Sequence, residues 1–384
     1  MTLSQRLRRL WLDVHLWIGV GLLVAVVPIS VTGAALVWRT ELERVVYADR
    51  YAVTGAQVGQ PISAYVQAAQ AAFGGKAVLT QVRMPAEPGD PVVANGRVDE
   101  PIPAGGRPRT LTAWIDPPTG EVMAVDETAV DATQIMHRIH GSLMLPGQGV
   151  GRKVVGWIGW AMTVSCLTGL WLWWPRNGAV LKALRWRRGP STLFNLHHMI
   201  GFWICVPLAI LSLTGVYISF PQASRALFGV AQPQQRPAGP PGGGAQAGPI
   251  ANPALSVDAA VAAAQAEGGG APVVSISTPT GGREPAWRIQ FKAGEGPPWT
   301  VQVVDASGEV KAPRGGGGEG GGPDPLSRLM RQIHDGNDTG IVWQIFVFLG
   351  GVAPAVLSVT GLIMWLRRSA RQRAIRHGID EAKA

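Results

Sequence analysis

Four stretches of this 384-residue chain contain no Lys, Arg, Asp or Glu: 16–38, 154–174, 196–220 and 341–366. Each reaches the ~20 residues that an α-helix needs to cross a ~30 Å hydrocarbon layer. In lipid the backbone has to satisfy its own N–H and C=O groups, so runs of this kind become helices. The four form two matching pairs. His15 opens HLWIGVGLLVAVVPISVTGAALVW and His197 opens HHMIGFWICVPLAILSLTGVYISF. Gly follows each His by 4 positions (Gly19, Gly201), and a Thr-Gly pair ends 18 positions after it (Thr32-Gly33, Thr214-Gly215). The second run of each pair ends in TGLWLWWPR or TGLIMWLRR, and Met136-His-Arg-Ile-His140 or Met330-Arg-Gln-Ile-His334 precedes it. The frame is an internal duplication of a helix pair, with histidines at corresponding points.

A mean hydropathy of +0.15 and 47% hydrophobic residues fit a minority of membrane spans within a larger chain. Trp11, Trp17, Trp38, Trp171, Trp173, Trp174 and Trp365 fall near span ends, where an interfacial aromatic belt is expected. Charge sets the orientation. Segments 1–13, 175–190 and 367–384 hold 14 of the 34 Lys and Arg, against only Asp13, Asp380 and Glu381. The net +9 therefore divides into +11 on one side and −2 on the other. The positive-inside tendency places both termini and the short middle loop in the cytoplasm, and the long segments in the periplasm of a bacterial inner membrane. The basic balance follows from this topology, so no nucleic-acid partner is expected. Arg6, Arg8 and Arg9 ahead of an apolar run imitate a signal peptide, but the run is long and has a counterpart in the second half. An uncleaved first span is the expectation. Cys166 and Cys205 lie inside spans and read as packing residues, with neither a disulfide framework nor a CxxCH haem attachment.

The fold expected is a mostly α membrane protein with four transmembrane helices and two small α+β units outside the bilayer. Its parts in order are 1–38 (cytoplasmic N-terminus, first span), 39–135 (first outer unit), 136–174 (His-bearing segment, second span) and 175–190 (basic loop). The second half runs 191–220 (third span), 221–252 (Pro/Gly-rich linker), 253–311 (second outer unit), 312–340 (Gly-rich linker, His-bearing segment), 341–366 (fourth span) and 367–384 (basic tail). Each outer unit reads as one helix (Ile62 to Phe73, Ser256 to Glu267) followed by β-branched runs that close with DPPTGEV or DASGEV. A unit this small is marginal alone and is expected to dock on its twin or on the membrane domain.

Histidine is rare and costly in lipid unless it has a partner, so duplicated histidines at fixed depths point to metal or haem ligands. Over 18 residues a straight helix would carry His15 and His197 ~27 Å from their Thr-Gly pairs, both at the cytoplasmic end. If the halves pack around a twofold axis, the two imidazoles can face each other as bis-His haem b requires. A single interfacial His would more simply bond a neighbouring carbonyl; two at matched positions favour ligation. His140 and His334 form a second pair near the outer surface, where a second haem would let electrons cross the bilayer. A cross-depth pairing would need a distorted helix. His137 and His198 are substitute ligands without matching histidines in the other half, where Arg331 and Leu16 stand. Met136 and Met330 are weaker alternatives, and His377 lies in the basic tail. Arg138, Arg152, Lys153, Arg328 and Arg331 are candidates for haem propionates, Asp335 and Asp338 for proton or substrate contacts. No catalytic residue stands out. Neither a P-loop, a GxGxxG after a strand, an HExxH nor a nucleophile elbow is present, so electrons have to come from a separate donor.

The segments VHLWIG…SVTG, IHGSLML…GRKVVGWIG…LTGLWLWWPR, NLHHMIG…SLTGVYISF and IHDG…SVTGLIMWLRR resemble the PepSY-associated transmembrane family, over nearly the whole chain. The outer units look like PepSY domains. Within the family the likeness extends to bacterial inner-membrane siderophore reductases (FoxB-like). It implies two haems b held by membrane histidines, matched here by His15, His140, His197 and His334, and reduction of a ferric siderophore on the periplasmic side. The donor (quinol, flavoprotein or cytochrome) is unidentified. Two other functions stay open: a haem electron-transfer subunit for another oxidoreductase, and a non-catalytic membrane protein whose PepSY-like units bind peptides or restrain a protease.

Overall fold

The computed structural model describes residues 2–101, 108–127, 131–147, 149–175, 184–186, 189, 191–230, 248–292, 294, 298–314, 324–337 and 339–381. Most of the two Gly/Pro-rich linkers, much of the basic loop, Asp338 and the His377 side chain lie outside the described residues. The chain divides into a helical unit (Met1–Arg39, Met136–Gly229, Leu326–Ala384) and a sheet unit (Thr40–Ile135, Val230–Pro325). Helices and strands are numbered in chain order.

The helical unit contains α1 (Leu3–Gly21), α2 (Leu23–Val37), α5 (Ala132–Ser142), α6 (Val150–Trp173), α7 (Thr192–Ser219), α8 (Pro221–Leu227), α10 (Pro325–Asp335) and α11 (Ile341–Glu381). Among the described residues α6, α7 and α11 are each long and apolar enough to cross a membrane, and α1 with α2 makes a fourth if the bent pair is one span. The first span is thus not the straight rod expected. It turns by 67° at Leu22, so the 27 Å estimate holds for α7 and fails for its counterpart. The loop from α5 to α6 turns sharply, with Leu143 and Met144 at φ 50° and 54° and Gly147 and Gly149 also left-handed.

Helix α6 packs on α7, and α2 packs on α11, so the two contacts are equivalent under the duplication. In both, small residues let the backbones approach. A Cβ on Gly159 would stand 3.3 Å from the Ser212 carbonyl, and one on Gly351 would stand 2.8 Å from Ala34 N. Without a hydrophobic driving force in lipid, this close packing and the hydrogen bonds it permits hold such helices together.

The sheet unit holds α3 (Arg39–Val46), a 3₁₀ turn (Ala48–Tyr51), α4 (Ile62–Phe73) and α9 (Val257–Gly268) around eight strands. These are β1 (Ala77–Arg83), β2 (Val92–Val98), β3 (Thr110–Ile115), β4 (Val122–Glu127), β5 (Val273–Ser277), β6 (Ala286–Phe291), β7 (Trp299–Val304) and β8 (Val310–Arg314). They form one antiparallel sheet in the order β4-β3-β2-β1-β5-β6-β7-β8. The two outer units of the sequence are therefore halves of a single sheet, joined where Gln81, Val82 and Arg83 pair with Ser277, Ile276 and Ser275. Thr278 reinforces the seam by donating its hydroxyl to the Leu79 carbonyl at 2.8 Å.

Each half has its own core. Tyr65, Ala69 and Phe73 of α4 cover Leu79, Val82, Val92, Ala94 and Ile115. Val257, Ala260, Val261 and Ala264 of α9 cover Ile276, Trp287, Ile289, Phe291, Val301 and Val303. The closing turns anchor the preceding chain through their aspartates. Asp116 accepts from Thr54 N and Oγ1 and from Thr119 Oγ1, and Asp305 accepts from Ala254 N, Leu255 N and Trp287 Nε1.

Candidate di-histidine centres

In the helical unit the histidines meet in two pairs. His15 on α1 and His197 on α7 face each other with ring centres 6.4 Å apart and planes at 88°. His140 at the end of α5 and His334 at the end of α10 stand 6.0 Å apart with planes at 47°. Two metal–imidazole bonds of about 2 Å, plus the distance from each nitrogen to its own ring centre, span close to this separation. Both pairs join residues of opposite halves of the duplication.

The imidazoles are held from behind. His15 Nδ1 lies 3.1 Å from the Ser165 carbonyl and 3.1 Å from Thr168 Oγ1 on α6. His197 Nδ1 lies 3.0 Å from Thr360 Oγ1 on α11. His140 Nδ1 meets the Ile29 carbonyl of α2 at 2.9 Å. His334 Nδ1 meets the Leu211 carbonyl and Thr214 Oγ1 of α7, both at 3.0 Å. Histidines that bind metals commonly anchor their other nitrogen in this way.

The second pair sits deeper against the spans than the sequence suggested. Ile29 and Leu211 each lie eight residues before the end of their helices, about 12 Å along the axis. Along α7 the two levels are separated by the 14 residues from His197 to Leu211, or ~21 Å of helix. The same 14 residues separate His15 from Ile29, across the bend.

Burial holds the second pair in the neutral form. It pushes His334 down to about 4, helped by the neighbouring His140 ring and opposed by the bond to Leu211. His140 is lowered for the same first reason. Neutral imidazole is the form that ligates iron. An open apolar cleft of about 360 Å³ is lined by Ile210, Ile333, Thr339 and Trp343.

The substitute ligands point elsewhere. His137 is exposed. His198 lies between Phe194 and Trp173 in an aromatic stack, with ring centres at 5.6 and 6.0 Å, and Trp173 in turn stacks on Phe202 at 3.9 Å. Asp335 lies near His140, His137 and Arg331, and desolvation raises its carboxyl above the usual range. Cys166 and Cys205 are buried free thiols in an apolar cluster with Ile204, Leu208 and Ala353.

These centres suit a porphyrin better than a bare ion. Among the described residues no group of three or more His, Cys, Asp or Glu comes together as a metal site. Two facing imidazoles alone are too few to enclose a bare ion, and each pair could hold a haem iron through its two ring nitrogens. A glycine in the facing helix leaves room for each imidazole: a Cβ on Gly33 would lie 2.6 Å from His140 Cε1, and one on Gly215 would lie 3.0 Å from His334 Cε1. A haem held by two histidines would supply one-electron transfer there.

The sequence reading used the Thr-Gly pairs only as markers of the duplication and missed their contact with the histidines. The available signal was their number, since the pair occurs once in each of the four spans (Thr32-Gly33, Thr168-Gly169, Thr214-Gly215, Thr360-Gly361).

No curated protein matches the chain. The family model for the PepSY-associated TM region matches residues 12–368, which takes in the apolar helices, both histidine pairs and the whole sheet. By that match over nearly its entire length, the chain belongs to the PepSY-associated TM family.

Proposed function

We propose that this chain is an inner-membrane di-haem b protein that passes electrons across the bilayer and reduces ferric siderophores on the periplasmic side. The observation carrying this reading is the pair of imidazole couples at 6.4 and 6.0 Å, each ring anchored through Nδ1 and the two levels spaced along the same helices. His15 and His197 would hold the haem nearer the basic, cytoplasmic ends, and His140 and His334 the haem nearer the periplasm. Haem held by two histidines supplies a reversible one-electron couple.

The residues around it do the rest. Anchored imidazoles keep the ligand set fixed between redox states, and the surrounding helices exclude water. One electron leaves a donor at the inner side, and one arrives at the ferric chelate, turning Fe(III) into Fe(II). Oxygen-donor chelators hold hard Fe(III) far more tightly than Fe(II), so reduction alone loosens the iron. The segments outside the bilayer, folded as the eight-stranded sheet, would offer the chelate its docking surface.

A visible spectrum of the purified full-length protein tests the haem, and mixing the chemically reduced protein with ferric siderophores tests the substrate. The expected result is a Soret band with two haems per chain and rapid reoxidation by the chelate. A haem spectrum without reoxidation would favour the electron-transfer subunit. A folded protein without a Soret band would favour the peptide-binding reading.

A further inference from the structure

The four Thr-Gly steps repeat one geometry. Each threonine hydroxyl donates to the carbonyl four residues back in its own helix: Thr32 to Pro28 at 2.6 Å, Thr168 to Val164 at 2.9 Å, Thr214 to Ile210 at 2.9 Å and Thr360 to Val356 at 2.8 Å. That bond uses the hydroxyl proton and leaves the oxygen only as an acceptor. The carbonyl three residues before the threonine can likewise only accept, and it faces the histidine at Ile29, Ser165 and Leu211. A ring nitrogen surrounded by acceptors has to carry the proton. Nδ1 is therefore protonated in all four histidines, and Nε2 keeps its lone pair.

The glycines complete the seat. A Cβ would approach His140 Cε1 to 2.6 Å at Gly33, His334 Cε1 to 3.0 Å at Gly215, His15 Cε1 to 3.2 Å at Gly169 and His197 Cε1 to 3.5 Å at Gly361. Each span thus receives one histidine from another segment, seats its ring edge on a glycine and takes its Nδ1–H.

We propose that the Thr-Gly step of each span is one repeated ligand-aiming element, and that Thr168, Thr214 and Thr360 are positioning residues that set the tautomer and donor strength of His15, His334 and His197. This rests on the haem reading above and adds the residues that tune it. A stronger acceptor behind Nδ1–H makes the imidazole a better donor, which favours the ferric state and lowers the reduction potential. Removing the hydroxyl then raises the potential of that centre alone. All three histidines keep a carbonyl as well (Ser165 for His15, Leu211 for His334, Leu357 for His197), so the three shifts should be of similar size.

The test measures haem per chain and spectroelectrochemical midpoint potentials in the purified full-length protein for T168V, T214V and T360V, their serine counterparts, and T32V. Thr32 gives the matched control, because its hydroxyl makes the same two bonds within its own helix, to Pro28 and Ile29, while His140 Nδ1 meets the Ile29 carbonyl and not the threonine hydroxyl. The expected result is full haem content, an upward shift of one of two potentials in each of the three valine variants, return to the wild-type value with serine, and no shift in T32V. Unmoved potentials in all three valine variants at full haem content would overturn the proposal and leave the haem reading standing. A folded but colourless wild type would remove both. Should a valine variant fail to accumulate, alanine at the glycines reads the same seat. G33A should lose one haem and G361A should keep both, and equal retention in the two would again overturn it.

Discussion

Arg50 is 4% exposed and holds the edge of the sheet unit together. Its guanidinium donates to Asp126 at 2.8 and 3.0 Å and to Asp131 at 2.7 Å, and it is sandwiched by the Tyr47 and Trp114 rings at 3.7 and 4.1 Å. Replacing it with alanine leaves the buried Asp131 carboxylate without its cation, a loss of about 3–5 kcal/mol. Lysine should not restore it, because an ammonium cannot fork between two carboxylates and stack on two rings. Thermal unfolding of the purified protein, followed by tryptophan fluorescence, checks both; a wild-type melt for R50K would contradict the argument. Nothing in the sequence marks Arg50 among 34 basic residues, since its partners lie 76 and 81 positions away. The histidines were legible for the opposite reason: the duplication repeats them at fixed intervals.

At the scale of elements, the two copies of the first span differ at one informative place. Counting from the histidine, Gly19 and Gly201 correspond, but Gly21 of the first copy is matched by Trp203 in the second. Helix α1 ends at Gly21 and the chain turns by 67°, whereas α7 runs unbroken through Pro207. Two glycines within three residues weaken a helix enough for packing to bend it. Proline, the usual suspect in a sequence, is not the cause here, since Pro28 lies six residues beyond the turn. A Cβ at Gly21 would meet nothing within 4 Å, so G21A should fold, keep both histidine pairs and gain about 0.5–1 kcal/mol. Its melting temperature and haem spectrum provide the check, and loss of one haem would mean that the bend itself requires glycine. The straight-helix expectation failed because periodicity reports apolar length and carries no information on where a glycine pair yields.

At the scale of the whole molecule, the paired levels predict independence. Residues of one pair lie 14 positions from the anchors of the other along α7, and each pair draws its ligands from different helices. H15A and H334A should each lower the haem content from two to one per chain and remove a different component of the reduced-minus-oxidised spectrum. Loss of both haems from either variant would show the levels to be coupled. Among the described residues three helices are long and apolar enough to span, with the bent α1–α2 pair a fourth if it is one span. These apolar helices, the two outer helices and most strands were readable from hydropathy and β-branched runs. The single sheet was not, because the residues at its centre look like those of any strand.

That centre has a consequence of its own. Aligning the copies by Met84-Pro85 and Thr278-Pro279 makes Val82 the counterpart of Ile276, and these are the two residues that pair across the seam. The strand edge therefore recognises its own image, as self-complementary contacts of identical subunits do. A progenitor half this length would have met a second molecule of itself along that edge, with its histidines completed by its neighbour. Joining two such halves in one chain removes the concentration dependence of their pairing and lets the two copies differ, as Gly21 and Trp203 do.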